Sequence, residues 1–268
     1  MPFPRNNPRK PWSLLRRILC ICFPSEVSRS STEEDRYDVC NRLAEKGIPN
    51  GIWFEDLLVF YGSDTQVWDL NLLVRDPGEA ANVLVEAGYV ETSADSQYDF
   101  MPEIVDRGVR LQRQHGTTGV VLLPAQDWDW ECELEDDGTV RRRRSSLPPL
   151  HQFLDSMMGV WLHISSRDYV ERLQFALHIG CLINYCYYLK DGDGDNVKDP
   201  AYADKLKPEH RELHYDIVAE YPRKESFVTT SRHQYHIRRS REIQDGTWTP
   251  QPYRKTGFRA SLTTLQEK

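Results

Sequence analysis

The chain has 268 residues, 28% of them charged and 39% hydrophobic, with a formal net charge of −7. That length fits one large domain or two small ones, and the mild acidity excludes a global electrostatic grip on nucleic acid, so no specific nucleic-acid partner is indicated. No apolar run is long enough to span a bilayer, and the six cysteines, Cys20, Cys22, Cys40, Cys132, Cys181 and Cys186, contain no CxxC pair, which argues against a disulfide framework or a zinc site and for a reducing, cytoplasmic setting.

Residues 1–34 read as a disordered basic tail. Arg5, Arg9, Lys10, Arg16, Arg17 and Arg29 stand against a single acid before Ser30, and the composition cannot bury enough apolar area to order the segment. Within it, WSLLRRILCICF is a short amphipathic stretch whose apolar core is too short for a signal peptide. Cys20 and Cys22, beside basic residues and Trp12, are candidates for acylation. A lipid chain plus a basic patch would give weak contact with a membrane surface. The plainer reading is a tail with a few apolar residues.

EEDRYDVCNRLAEKG places Tyr37, Cys40, Leu43 and Ala44 at helical spacing, with Gly47 as the stop. IPNGIWF reads as a short extended piece and EDLLVFYG as a brief helix ended by Gly62. QVWDLNLLV, residues 66–74, is a strand in which Asp69 and Asn71 alternate with apolar residues, so both side chains should leave the same face. Two acids there would make a metal clamp, but the second is an amide. DPGEAANVLVEAG has strong helix signals: Asp76 as cap, Pro77 in the first helical position, Glu79 completing a capping box and Gly88 ending it. YVET, GVRLQRQ and the very apolar TTGVVLLPAQDW read as strands. WECELEDDGTVRRRR, with its Asp-Gly, reads as a hairpin. The joint RRRRSSLPPL closes an α/β region over 35–146, its four arginines being a solvated run.

From Leu150 the period changes to 3.6. HQFLDSMMGVWLHI and DYVERLQFALHIGCLINYCYYL read as two substantial helices and PAYADKLKPEHRELHYDIV as one or two more. The last forty residues show no clear period. Residues 147–268 thus form a mostly helical region with an irregular tail. His210 and His214 lie i, i+4 apart near Asp216, a spacing that suits a metal pair. The phrase is HRELH, however, with Arg211 where a zinc protease needs glutamate, so packing or hydrogen bonding is the expectation. In DGDGDNVKD, Asp191, Asp193 and Asp195 fall at the first three ligand positions of a calcium loop. Asn196 stands in for the turn glycine, but Tyr202 replaces the bidentate acid, so a solvated loop is expected. Trp128, Trp130, Tyr185, Tyr187 and Tyr188 read as packing residues.

The order helix, Gly-ended short helix, Asp-bearing strand, capped helix, strand, buried strand resembles the nucleotidyltransferase fold in its minimal form. The match is strongest over IWFEDLLVFYGSDTQVWDLNLLVRDPGEAANVLVEAGY, where Tyr61-Gly62, Asp69 to Val74 and Leu84 to Tyr89 follow the family's pattern. The chain is also similar to uncharacterised fungal nucleotidyltransferase-like proteins. The resemblance implies an α+β fold with a small mixed sheet. It also implies a site in which two or three carboxylates hold Mg²⁺ or Mn²⁺ against a triphosphate. Asp69 fits the first carboxylate and Asn71 stands at the second. The third falls on Val120 or Val121, and the helix-opening glycine pair falls on Phe54 and Glu55.

These departures lead to the expectation of a non-catalytic nucleotidyltransferase-like binding or regulatory protein without a cofactor, whose partner is a protein or small ligand that the sequence does not name. The alternative is an active metal-dependent enzyme using Asp69 and Asn71 with Glu55, aided by Asp56 if the short helix packs over the strand end. In that case Gly62 and Ser63 are the candidate cofactor-binding residues. A second alternative is a membrane-surface scaffold acylated at Cys20 and Cys22. If Asp69 is merely a strand-end acid, Asp69→Asn should disturb one hydrogen bond worth roughly 1 kcal/mol.

Overall fold

The computed structural model describes residues 33–63, 65–92, 107–113, 119–130, 147–165, 169–185, 194–219 and 229–250. The tail with Cys20 and Cys22, nearly all of the expected hairpin, and Asp191 and Asp193 lie outside the described residues. By their contacts the described residues form two units. The first holds 33–60, 65–92, 107–113 and 119–124, and the second 61–63, 125–130 and everything from 147 onward.

The first unit is α+β. Helix α1 (Glu33–Glu45) buries Val39, Cys40, Leu43 and Ala44, one stripe of a 3.6-residue period. Gly47 ends it at φ 79°, a left-handed conformation that glycine adopts without steric cost. Strand β1 (Asn50–Trp53) runs straight into the short helix α2 (Phe54–Phe60), followed by β2 (Leu70–Val74) and α3 (Pro77–Glu86). The Asp76 carboxylate caps α3, accepting the Gly78 N–H at 2.8 Å and the Glu79 N–H at 3.1 Å, with Pro77 inside the first turn. Strands β3 (Tyr89–Glu91), β4 (Val109–Arg113) and β5 (Gly119–Pro124) complete a mixed sheet of order β1-β2-β5-β4-β3. β2 and β5 are parallel neighbours and every other pairing is antiparallel. As expected from the strand–capped helix–strand order, α3 packs on β3, β4 and β5.

The register sorts the sheet into two faces, because directly opposed residues share one. One face carries Ile52, Leu72 and Leu122. The other carries the row Trp53, Asn71, Val121 and Arg110. Strand β2 is shorter than the expected 66–74: it begins at Leu70, and Asp69 sits in the bend before it.

The second unit is helical. A 3₁₀ turn (Ala125–Trp128) is followed by α4 (Leu150–His163) and by α5 (Tyr169–Gly180), which runs into a π turn (Cys181–Tyr185). A second 3₁₀ turn (Pro200–Lys205), capped by Asp199, precedes α6 (Pro208–Ala219), and α7 (Thr230–Gln244) follows. α4 packs on α5, α6 and α7, and α6 on α7. Trp161, fully buried on α4, ties three helices: its indole N–H donates to the Arg172 carbonyl at 3.1 Å, and its own carbonyl accepts from His233 Nε2 at 2.7 Å.

The helix α7 was not expected, because the last forty residues show no apolar period. The reason is in what it buries: His233, His236 and Ser240, spaced i, i+3, i+7. This is a helical stripe made of polar residues, each histidine hydrogen-bonded, so its period does not register as hydrophobicity.

One backbone position in the first unit is strained. Phe54, at the β1–α2 junction, has φ 52° and is fully buried. A bulky residue there costs roughly 1–2 kcal/mol. It stands where the resemblance places a glycine, so the junction keeps a glycine-like backbone around an aromatic side chain. Phe54→Ala should therefore cost about 3–5 kcal/mol through the lost ring. Phe54→Gly should cost no more than Phe54→Ala, because glycine relieves the left-handed strain; urea titration of both variants checks this inversion of the usual order.

Candidate functional site

Two of the positions singled out in the sequence, Asn71 and Val121, lie on the row Trp53, Asn71, Val121, Arg110. Asn71 is fully buried. Its amide N–H donates to the Asp69 carbonyl at 3.1 Å, while its Oδ1 accepts no hydrogen bond. Beside it across the β2–β5 pairing is Val121, and beyond that Arg110.

Asp69 is not on that row as a second ligand. Its carboxylate is gripped by Arg110, with Nε donating to Oδ2 at 3.0 Å and Nη2 to Oδ1 at 3.3 Å. The Gly119 N–H donates to Oδ1 at 3.0 Å. A Cβ on Gly119 would lie 2.6 Å from that Oδ1 and 3.0 Å from Arg110 Nη2, so any side chain at 119 has to displace the carboxylate. One carboxylate thus ties the entry of β2 to β4 and to the start of β5. This replaces the expectation of a single strand-end hydrogen bond: Asp69 is half of an ion pair whose side chains are only 11% and 16% exposed. Arg110 and Gly119 were not among the expected site residues. The available signal was Arg110 itself, an arginine alternating with Leu111 in a strand, which needs an acid partner when its face is covered.

Glu55 and Asp56 open α2 and are both buried, at 1% and 2% exposure. Asp56 takes a two-pronged contact from Arg36, both bonds 2.6 Å, and the Tyr37 hydroxyl at 2.9 Å. Burial raises the Asp56 carboxyl above its ordinary pKa against the pull of Arg36 and Tyr37. Asp56 and Asp69 therefore serve different partners, and among the described residues no three His, Cys, Asp or Glu side chains are gathered to hold a metal ion. The row offers a divalent cation one neutral oxygen, Asn71 Oδ1, near an arginine. That donor set does not fit Mg²⁺ or Mn²⁺, which hold best to several carboxylate oxygens.

Gly62 and Ser63 pack with the second unit; Gly62 is an exposed turn glycine at φ 93°, and Ser63 is buried. Asp195, the described member of the acidic loop, pairs with Lys205 at 2.8 Å. Among the described residues of that loop the left-handed one is Gly194, φ 84°, and not Asn196, whose Oδ1 instead accepts the Lys198 N–H at 2.8 Å in a local turn. Tyr202 is buried against Lys205.

The histidines of the second unit are held one by one. His210 Nδ1 donates to Asp155 at 2.6 Å, and Asp155 also accepts the Lys207 N–H at 3.1 Å. His236 Nε2 donates to Asp216 at 2.8 Å, with Arg232 3.4 Å from the other carboxylate oxygen. His214 Nε2 donates to the Val197 carbonyl at 2.8 Å. His210 and His214 thus point their bonds at separate partners, as packing residues do.

Burial lowers the His214 pKa from 6.5 to about 4, opposed by the Val197 carbonyl. This histidine is stabilising while neutral: its contribution is complete above pH 6.5 and is lost as pH falls towards 4. Glu212 is the reverse case. Burial raises it from 4.5 to about 7, with Asp216 adding and Arg239 opposing. Its stability contribution is complete below pH 4.5 and is lost as pH rises through 7. Glu212→Gln should therefore raise the melting midpoint at pH 8 and leave it unchanged at pH 4. Residual solvent screening at this partly buried site keeps the gain on the order of 1 kcal/mol, or about 2–4 °C. Scanning calorimetry at the two pH values reads it.

The clamp makes a second prediction. Asp69→Asn should destabilise the chain by about 2 kcal/mol, since the mostly buried Arg110 guanidinium loses its charge-assisted contacts to the carboxylate. Arg110→Met in the same chain should recover part of that loss. Gly119→Ala should cost a similar ~2 kcal/mol, because the new methyl must displace the carboxylate. Chemical denaturation of the single and double variants measures the coupling.

No protein-family model matches the chain, and no curated protein matches it. Among solved structures it is similar to JHP933 from Helicobacter pylori, at 14% identity over 88% of this chain and 100% of that one, with a TM-score of 0.29. It is also similar to a candidate nucleotidyltransferase from H. pylori, at 13% identity over 82% of this chain and 97% of that one, with a TM-score of 0.29. Both likenesses are weak, and neither bears on the chemistry of this chain. Among the described residues, no helix is long and apolar enough to cross a membrane.

Proposed function

We propose that the first unit is a nucleotidyltransferase-like module that binds or regulates and does not catalyse. The observation that supports this reading best is the state of Asp69: the one acid at a family metal position has its oxygens occupied by Arg110 and Gly119. The neighbouring positions support it too, since Asn71 and Val121 carry no negative charge and the row ends in an arginine. Phosphoryl transfer needs charge stabilisation at the metal and the transferring group. An active enzyme built on Asp69 with Glu55 would have to break the clamp and bring out a glutamate that is 1% exposed.

The test is nucleotide turnover. Purified wild-type chain, incubated with labelled nucleoside triphosphates and Mg²⁺ or Mn²⁺, should show no transfer above the Asp69→Asn control. Metal-dependent transfer that disappears in Asp69→Asn would overturn the reading and make Asp69 a ligand.

A further inference from the structure

Asn50-Gly51, the first two residues of β1, is the only Asn-Gly pair in the sequence. Asn50 is 2% exposed. Its side-chain Nδ2 donates to the Cys40 carbonyl and to the Ile48 carbonyl, each at 3.2 Å. One amide thus ties the start of β1 to α1 and to the turn between them. Its Oδ1 is buried and accepts no hydrogen bond among the described residues.

An asparagine followed by glycine is open to attack on its side-chain amide by the next backbone nitrogen, because glycine has no Cβ in the way and lets the chain take the necessary bend. The Gly51 nitrogen bonds to Asn50 Cγ and passes its proton to the leaving amine, which departs as ammonia. The five-membered imide then takes up one water and opens to aspartate or isoaspartate. One water enters and one ammonia leaves, with no oxidant or reductant.

The closed strand holds this reaction back. Asn50 is paired with Val74 and Gly51 with Leu73, and an extended backbone keeps the Gly51 nitrogen away from Cγ. Burial keeps water from the imide. Both restraints end when β1 opens. Among the described strands β1 is an edge, joined to the sheet through β2 alone, so it can part without separating any other pair.

The product does not fit the place the amide left. An aspartate has no N–H for Cys40 and Ile48, and its carboxylate would face their two carbonyl oxygens in a buried setting. No donor waits on the Oδ1 side to compensate. An isoaspartate adds a methylene to the backbone and disturbs the pairing with Val74. From this arrangement we propose that Asn50 is a deamidation site gated by the opening of β1, and that conversion bars β1 and α1 from closing again. The site thereby keeps an irreversible record of openings. The proposal does not rest on the function given for the first unit.

The test follows residue 50 by peptide mass mapping of the full chain, aged in mildly alkaline buffer with and without unfolding urea. Conversion should be at least about tenfold slower in the folded chain than in urea. In urea, where folding plays no part, Gly51→Val should slow it about tenfold, because a side chain now hinders the attacking nitrogen. Chain deamidated in urea and returned to buffer should melt about 5–10 °C below the unaged chain taken through the same steps, as should Asn50→Asp. Equal conversion in buffer and in urea, no conversion at residue 50 in urea, or a deamidated chain that regains the unaged melting midpoint would each overturn the proposal.

Discussion

A single carboxylate, placed where the chain enters β2, holds three strands together. Asp69 receives a guanidinium from β4 and a backbone N–H from the first residue of β5. Those bonds form only if Leu70 lies beside Val120 and Arg110 beside Val121, which is the observed register. A slip by one residue would turn every apolar side chain of β2 to the wrong face and would strand a charge. The parallel β2–β5 pairing joins segments far apart in sequence, so loop-closure entropy opposes it. A charge-assisted contact at its open end offsets part of that cost. Both oxygens of that one carboxylate are engaged in holding the strands.

The second unit solves its packing differently. Its centre is not wholly apolar: His210, His214, His233, His236, Asp155, Asp216 and Arg172 are all buried among leucines and aromatic rings. His210, His214, His233 and His236 each donate to a specific acceptor elsewhere in the unit, with Trp161 and Val197 supplying carbonyls and Asp155 and Asp216 supplying carboxylates. Such contacts add little net stability compared with apolar burial, but they are directional, and they penalise any arrangement that leaves a member unpaired.

Much of the first unit was legible in the sequence because its signals are local. The Asp76-Pro77 helix start, the Gly47 and Gly62 stops, and the apolar run of Val120 to Leu123 each depend on a few adjacent residues, and the order of elements followed from them. The parts that were not legible depend on pairing at a distance. Asp69 and Arg110 are 41 positions apart, and nothing near either residue announces the other. The helix α7 was hidden for another reason: its buried stripe is histidine and serine, which hydropathy counts as surface. The i, i+4 pair His210 and His214 illustrates a limit of spacing itself. The two share a helix, yet one bonds Asp155 and the other Val197, because partners beyond the helix decide what a histidine does.

The tight approach at Gly119 has a consequence for how this sequence can change. While Asp69 is present, a side chain at 119 has to push the carboxylate aside, and losing Arg110 takes from the acid its guanidinium contacts. Replacing Asp69 makes room at 119 but costs Arg110 the same contacts, so each of the three positions is held by the other two. Related chains that have drifted here should therefore keep aspartate, arginine and glycine as a set or have changed them together.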